Sequence, residues 1–311
     1  MVSLPVASIV NELKVSLERT PAVLLTADTG SGKTTWLPLQ LLDAAWLKGK
    51  KIVMLEPRRV AARAAAMRLA HHLGESVGNK VGYSVRLDSR TSAVTRLEVV
   101  TEGVLARRLV NDPELADVGL LIFDEFHERH IETDLALALA LESMRVFRPD
   151  LKILIMSATI DTTKITTFLQ NVLTTTVPCI VSQGTNFPVA IHYAGDAPQP
   201  THFVGDNYAH VALWAARQAI QAHKLHKGDI LVFLPGKSEI KTAIEFITAH
   251  NLPQTKVLPL HGELTPQEQD DALKKGSTLE RRIIVATPIA ESSITVDGLA
   301  GFGARRATAG D

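Results

Sequence analysis

Residues Ala27-Asp28-Thr29-Gly30-Ser31-Gly32-Lys33-Thr34 have the make-up of a phosphate cradle. Successive backbone N–H groups can curl around phosphate oxygens only where the chain turns tightly, and Gly30 and Gly32 permit that curl. Lys33 is then placed to reach the outer phosphates of a nucleotide, and the Thr34 hydroxyl to ligate Mg2+. Ala27 stands where the pattern usually has a first glycine, a position that mainly needs a small residue. Thr35 follows at the loop's end. Further along, the run VGLLIFDEFHERH sets Asp124 and Glu125 directly after an apolar stretch. An acid there can hold the same Mg2+ as Thr34, a role that falls to Asp124. Glu125 beside it, also next to the metal, can orient or activate an attacking water. The chemistry these residues imply is binding and hydrolysis of a nucleoside triphosphate.

Such residues need a scaffold that brings strand ends together. AVLLTA reads as a short buried strand ahead of the Gly-rich turn, and DTGSGKTTWLPLQLLDAAWL as that turn followed by a helix. KIVMLEP, LEVV, VGLLIFD and LKILIMS are further apolar runs of strand length. Between them lie the helical stretches RRVAARAAAMRLAHHLG, closed by Gly74, TEGVLARRLV and DLALALALESMRVF. Leu4 to Leu17 has helical apolar spacing that Pro21 ends. Strands alternating with helices predict an α/β fold whose parallel sheet is covered on both faces, with the ligand at the carboxyl ends of the strands.

The pattern loosens between Thr174 and Pro200, where turn residues gather. Alternation then resumes: a helix near 206–224, DILVFLP, the helix SEIKTAIEFITAH, KVLPLH, a helix near 265–275, and RRIIVAT. Two domains are expected, over 1–180 and 181–311, as a chain of 311 residues suggests. The final stretch, GLAGFGARRATAGD, loses all apolar periodicity and reads as an unstructured tail or an abrupt stop.

Composition narrows the class further. Hydrophobic residues make up 46% of the chain, and 33 basic residues balance 33 acidic ones. Net charge near zero argues against a general basic coat for nucleic acid but leaves room for a local basic groove. Cys179 is the only cysteine, which rules out an internal disulfide or a cysteine-rich zinc site and points to the reducing cytoplasm; a buried packing role is expected for it. The amino-terminal segment has acidic residues within its apolar pattern and does not read as a signal peptide, and no apolar run reaches membrane-spanning length. The histidines other than His127, His71-His72 among them, lack ligand-like clustering and read as surface or packing residues.

Asp124-Glu125-Phe126-His127 resembles the DEAH box of superfamily 2 helicases, with Phe in the third position. Other blocks agree with that family in order: EPRRVAA (56–62) with motif Ia, VGYSVRLD (81–88) with the element after it, TEGVLARRL (101–109) with motif Ib, and Ser157-Ala158-Thr159 with motif III. LVFLPGKSEI (231–240) resembles motif IV, PLHGELTPQEQ (259–269) the segment that follows, and ATPIAESSITVDG (286–298) motif V. The DEFHERH box, the LPVASIV opening and the form of motif V look most like the bacterial HrpB-type DEAH RNA helicases, over about residues 4–298.

The resemblance implies tandem RecA-like domains, ATP and Mg2+ in the cleft between them, and single-stranded RNA across their upper face, traversed 3′ to 5′. Arg58, Arg59, Thr101, Glu102 and Gly103 match family positions that hold the RNA backbone, and Thr287 matches another in motif V. Forked guanidinium donors, hydroxyls and backbone N–H groups suit that task without reading bases. Arg68 matches the residue that stacks on the nucleotide base; a planar guanidinium stacks on any base, so other nucleoside triphosphates are expected to serve as well as ATP. His127 would relay nucleotide state to the second domain, and Ser157 and Thr159 would link hydrolysis to strand movement.

The resemblance also implies a Gln-, Gly- and Arg-rich motif after motif V, whose arginines reach the γ-phosphate. Nothing like QRxGRxGR occurs, and Gly303-Ala304-Arg305-Arg306 is a poor substitute. A second domain that is incomplete, and impaired hydrolysis, are therefore expected. Two alternatives stand beside a working RNA motor: a fragment that binds nucleotide or RNA without hydrolysis, and a motor directed to DNA.

Overall fold

The computed structural model describes residues 4–158, 162–183, 190–193, 209–273 and 280–290. The chain divides into two compact units, Met1–Asn186 and Phe187–Asp311. The first begins with a 3₁₀ turn, Pro5–Ile9, and α1, Val10–Arg19. Then come β1 (Ala22–Ala27), α2 (Leu37–Leu41), β2 (Lys51–Leu55), α3 (Arg59–His72), β3 (Val81–Val85), β4 (Asp88–Arg90) and β5 (Leu97–Val100). It continues through α4 (Glu102–Asn111), β6 (Val118–Phe123), the 3₁₀ turn Phe126–Glu128, α5 (Ile131–Val146), β7 (Lys152–Ser157), α6 (Thr162–Leu173) and β8 (Cys179–Ser182).

These strands form one sheet in the order β4-β3-β5-β2-β6-β7-β1-β8. All neighbours are parallel except β3 and β4. The apolar runs read from the sequence are its central strands, and all of β6 is buried because helices cover both faces. Alternate residues feed two separate cores. Ile52, Met54, Leu120 and Ile122 point to the face covered by α1, α2 and α3. Val53, Leu55, Leu121 and Phe123 point to the face covered by α4, α5 and α6. Register aligns Thr26 with Ser157, Leu55 with Phe123, and Leu55 with Val100. The carboxyl ends of β1, β2, β5, β6 and β7 therefore lie along one edge, where an open α/β sheet binds ligands.

Local chemistry modifies the expectation in three places. The helix predicted to open at the Gly-rich turn is only the five residues of α2, preceded by turns. Pro38 has no N–H to offer the Thr34 carbonyl, and the amides of Trp36 and Leu37 both go to the Gly32 carbonyl at 3.0 Å. Second, β8 lies within the loosened stretch and pairs with β1, so the first sheet runs past residue 180. Third, Cys179 is exposed rather than buried. On this edge strand Ile180 and Ser182 turn inward, which leaves Cys179 and Val181 outside.

In the second unit α7 (Ala209–Leu225), β9 (Ile230–Phe233), α8 (Lys237–Ala249), β10 (Thr255–Leu260), α9 (Pro266–Leu273) and β11 (Arg281–Ala286) alternate as expected. Its described strands form a parallel sheet, β10-β11-β9. Ile230, Val232, Ile283 and Val285 pack against α7 and α8. Leu231 and Ile284 pack with Ala272 of α9 on the other face. Asp229 and Arg282 form a buried pair at 2.6 Å between β9 and β11. Among the described residues no helix is long and apolar enough to cross a membrane.

Candidate active site

The loop after β1 turns back on itself through two residues in the left-handed region, Gly30 at φ +77° and Gly32 at φ +93°. Gly32 is required twice over. A Cβ there would lie 2.9 Å from Leu4 Cδ1 and 3.3 Å from Val6 Cγ2, because the amino-terminal segment packs over the loop. The Val6 N–H also donates to the Ser31 carbonyl at 3.4 Å. Gly30 has open space around it, so only its backbone angle calls for glycine. Asp28 and Thr34 are half-buried, Thr35 likewise, and Thr29 is exposed. Ser31 and Lys33 are buried, and the Ser31 hydroxyl has no hydrogen-bond partner among the described residues.

The end of β6 meets this loop. The Asp124 N–H extends the ladder to the Leu55 carbonyl at 3.0 Å, which fixes the acid at the sheet edge. Asp124 Oδ2 accepts from Thr34 Oγ1 at 2.5 Å, and Asp124 Oδ1 accepts from the Glu125 N–H at 2.8 Å. Glu125 sits in the left-handed region at φ 50°, which aims its side chain back at the loop. Glu125 Oε1 lies 3.2 Å from Lys33 Nζ, and Glu125 Oε2 lies 3.3 Å from His127 Nδ1. Burial pushes the Glu125 carboxyl up to about 7, helped by the charge of Asp124 and opposed by the Lys33 ammonium. Burial, then the Lys33 ammonium, hold His127 below the ordinary imidazole value.

This arrangement brings together a buried, ion-paired cation (Lys33), a pair of hard oxygen donors (Thr34 and Asp124) and a carboxyl whose proton affinity lies near neutrality (Glu125). Among the described residues no group of three or more His, Cys, Asp or Glu side chains forms a protein-only metal cage. The residues present fit Mg2+, which keeps most of its water and takes one or two protein oxygens beside substrate phosphates. The orphaned hydroxyl of Ser31 and the backbone of a loop open at Gly30 fit an anion.

Several of the other singled-out residues of the first unit lie near the same strand-end edge. Arg58 caps the start of α3 with its guanidinium about a quarter exposed, and Arg59 beside it is exposed. Thr101 and Glu102 begin α4 and are buried, whereas Gly103 is exposed. The Glu102 carboxylate turns inward, accepting from Thr133 Oγ1 at 2.5 Å, and burial raises its pKa. Arg68 is half-buried on α3, whose apolar side packs with that of α2 on one sheet face. Ser157 ends β7 fully buried next to Thr26. Thr159 lies outside the described residues, as do 291–298 of the motif V block. Thr287 follows β11 in the second unit and donates its N–H to the Leu260 carbonyl at 3.1 Å. The sequence singles out no role for Glu128 and reads His130 as a surface or packing residue, yet Glu128 meets Arg58 and His130 lies between Glu128 and Glu102. Their only sequence signal is the charge of the ERH tail after Asp-Glu-Phe-His.

Comparison with known proteins agrees with this fold. A family model for the DEAD/DEAH box helicase matches residues 9–168, and one for the helicase conserved C-terminal domain matches residues 213–300. The chain is 44% identical over 299 residues to "ATP-dependent RNA helicase HrpB" of Escherichia coli (strain K12), covering 96% of this chain and 35% of that protein. It is 33% identical over 302 residues to "Probable ATP-dependent RNA helicase DHX34" of Homo sapiens, covering 96% and 26%. The crystal structure of the Escherichia coli DEAH/RHA helicase HrpB superposes with a TM-score of 0.82 at 43% identity, covering 96% of this chain and 36% of that one. The chain thus spans about a third or less of the length of these relatives. Its fold is that of tandem RecA-like helicase domains.

Proposed function

The chain belongs to the DEAD/DEAH box helicase family, and we propose that it is the motor core of an ATP-dependent helicase that moves along single-stranded RNA. The observation that carries this reading is the meeting of Lys33 with Glu125 at 3.2 Å beside that of Thr34 with Asp124 at 2.5 Å. The backbone of residues 27–35 and the ammonium of Lys33 hold the phosphates of ATP. Thr34 and Asp124, with Glu125 beside them, would hold Mg2+, which would supply positive charge against the phosphates. When Lys33 turns to the phosphates, the Glu125 carboxylate is released from its 3.2 Å ion pair and is free to accept the attacking water's proton. His127 senses that change through its contact with Glu125 and passes it to the second domain, with Ser157 and Thr159 linking it to strand movement. Arg68 stacks on the base, which leaves room for other nucleoside triphosphates.

Arg58, Arg59, Thr101, Glu102 and Gly103 in the first unit, and Thr287 in the second, hold the RNA backbone. For Glu102 the buried side chain favours contact through the helix start rather than the carboxylate. Cys179, free and exposed, is compatible with the reducing cytoplasm. The test is steady-state hydrolysis of ATP with single-stranded RNA, with single-stranded DNA and with neither. Stimulation by RNA beyond that by DNA supports the reading; equal stimulation replaces RNA with nucleic acid in general, and no hydrolysis leaves a binding module.

A further inference from the structure

The DEFHERH segment holds two residues that the nucleotide chemistry does not use. Glu128 ends the 3₁₀ turn after β6 with its side chain 10% exposed, and its Oε2 lies 3.3 Å from Arg58 Nη2 and 3.2 Å from His130 Nε2. Its Oε1 is buried and makes no hydrogen bond among the described residues. On the other side of the ring, His130 Nδ1 is 2.9 Å from Glu102 Oε1. Arg58, Glu128, His130 and Glu102 thus run in a line joining the starts of α3 and α4, the two places where nucleic-acid backbone is read to lie.

A carboxylate on Arg58 opposes that role, since it cancels the charge a phosphate would meet. Two features make the opposition reversible. The Arg58 side chain is 28% exposed and flexible, whereas Glu128 is enclosed, so the arginine can change partner and the glutamate cannot follow. Losing Arg58 would normally strand a buried charge, but Glu128 keeps His130 on the same oxygen. The His130 ring faces a carboxylate oxygen at each nitrogen, so it is held between Glu102 and Glu128.

We propose that Glu128 competes with nucleic-acid phosphate for Arg58, and that His130 sets the strength of that competition by drawing on the same carboxylate oxygen. The inference rests on the reading of Arg58 as a phosphate contact. It also gives RNA a route to the nucleotide site. The Glu128 N–H donates to the Glu125 carbonyl at 3.0 Å, and the turn between them is flanked by left-handed Glu125 and Arg129, at φ 50° and 51°. A turn so flanked is held by its surroundings and responds when they change.

The test measures the dissociation constant of this chain for a fluorescently labelled oligouridylate by anisotropy. Glu128→Gln keeps the shape and removes the competing charge, and it tightens binding by about twofold to fivefold, the range of a partly exposed ion pair. His130→Gln frees Glu128 for Arg58 and weakens binding by about threefold. These opposite signs from neighbouring residues separate competition from a structural fault, which would weaken binding in both. Glu128→Asp returns toward the parent affinity, and Glu128→Gln gives no gain once Arg58 is Ala. A gain that persists without Arg58, or binding in Glu128→Gln no tighter than the parent's, overturns the proposal while leaving Arg58 as a phosphate contact. If Arg58→Ala itself leaves affinity unchanged, the reading of Arg58 fails and the competition with it.

Discussion

Replacing Glu125 by Gln separates stability from catalysis at one position. In the folded chain burial and the Asp124 charge lift this carboxyl from 4.5 to about 7, with Lys33 only partly offsetting them. Unfolded, it ionises near its ordinary value. Between those two pH values the folded chain keeps a proton that the unfolded chain has lost, so stability falls as pH rises through the window and is level above it. At about 1.4 kcal/mol per pH unit, the ionised Glu125 costs the fold about 3 kcal/mol at pH 8. The amide has the same shape and no charge, but it leaves Lys33 without an ionic partner, which returns part of the gain. The net expectation is that Glu125→Gln stabilises the nucleotide-free chain by about 1–3 kcal/mol at pH 8 and by close to nothing at pH 4. Urea unfolding in the presence of a chelator, followed by the fluorescence of Trp36 and Trp46, measures this. With Mg2+ and ATP, the same variant should bind nucleotide normally and lose about 10²- to 10⁴-fold in turnover, the range for a general base. A stability difference that is the same at both pH values would refute the idea that burying a charge strains this site. Loss of nucleotide binding alongside turnover would make Glu125 structural rather than catalytic.

Three further changes probe the rest of the site. Lys33→Ala should weaken ATP binding by about 10- to 100-fold, the worth of a charge-assisted hydrogen bond, in a titration with a fluorescent nucleotide; unchanged affinity would remove the phosphate-cradle assignment. Gly32→Ala should cost about 1–3 kcal/mol of stability, since it strains φ +93° and drives a Cβ to 2.9 Å from Leu4 Cδ1. Adding Leu4→Ala should recover only the steric part, and full recovery would show that the backbone angle costs nothing. Arg58→Ala should weaken RNA binding at every sequence tested and lower the slope of log affinity against log salt by about one, so an unaltered slope would argue against a phosphate contact.

The parts of this molecule legible in the sequence are those whose signal is local. The buried strands announce themselves because helices on both faces demand unbroken apolar runs such as VGLLIF, where every residue is enclosed. The tight loop after β1 announces itself because backbone geometry demands glycine at Gly30 and Gly32. Asp124 is legible because it stands one residue beyond such a strand. Short or polar elements were not. The hairpin from β3 to β4 ends on Asp88-Ser89-Arg90, too short for any period to show. β8 alternates its burial over only four residues, and nothing in them tells whether Cys179 faces in or out. Pro38 lies inside an otherwise helical pattern, so the truncation of α2 could have been read from it and was not.

What remained out of reach is pairing over distance. Arg58 and Glu128 are 70 residues apart, and His130 and Glu102 are 28 apart. Each reads singly as an ordinary surface charge or helix start. Only the alignment of strand ends puts β2, β5 and β6 side by side, and with them the starts of α3 and α4 and the turn that carries Glu125. That alignment also explains how one edge can serve two polyanions. In the function proposed above Lys33 would serve the nucleotide and Arg58 the nucleic acid, and each rests on a glutamate of the same short turn, Glu125 and Glu128. Each cation must leave its glutamate to take a phosphate, and the two glutamates share a backbone hydrogen bond. If both cations take phosphates as proposed, occupancy of either site would change the charge that the turn must bear, which would give the two ligands a physical basis for sensing one another within a single unit.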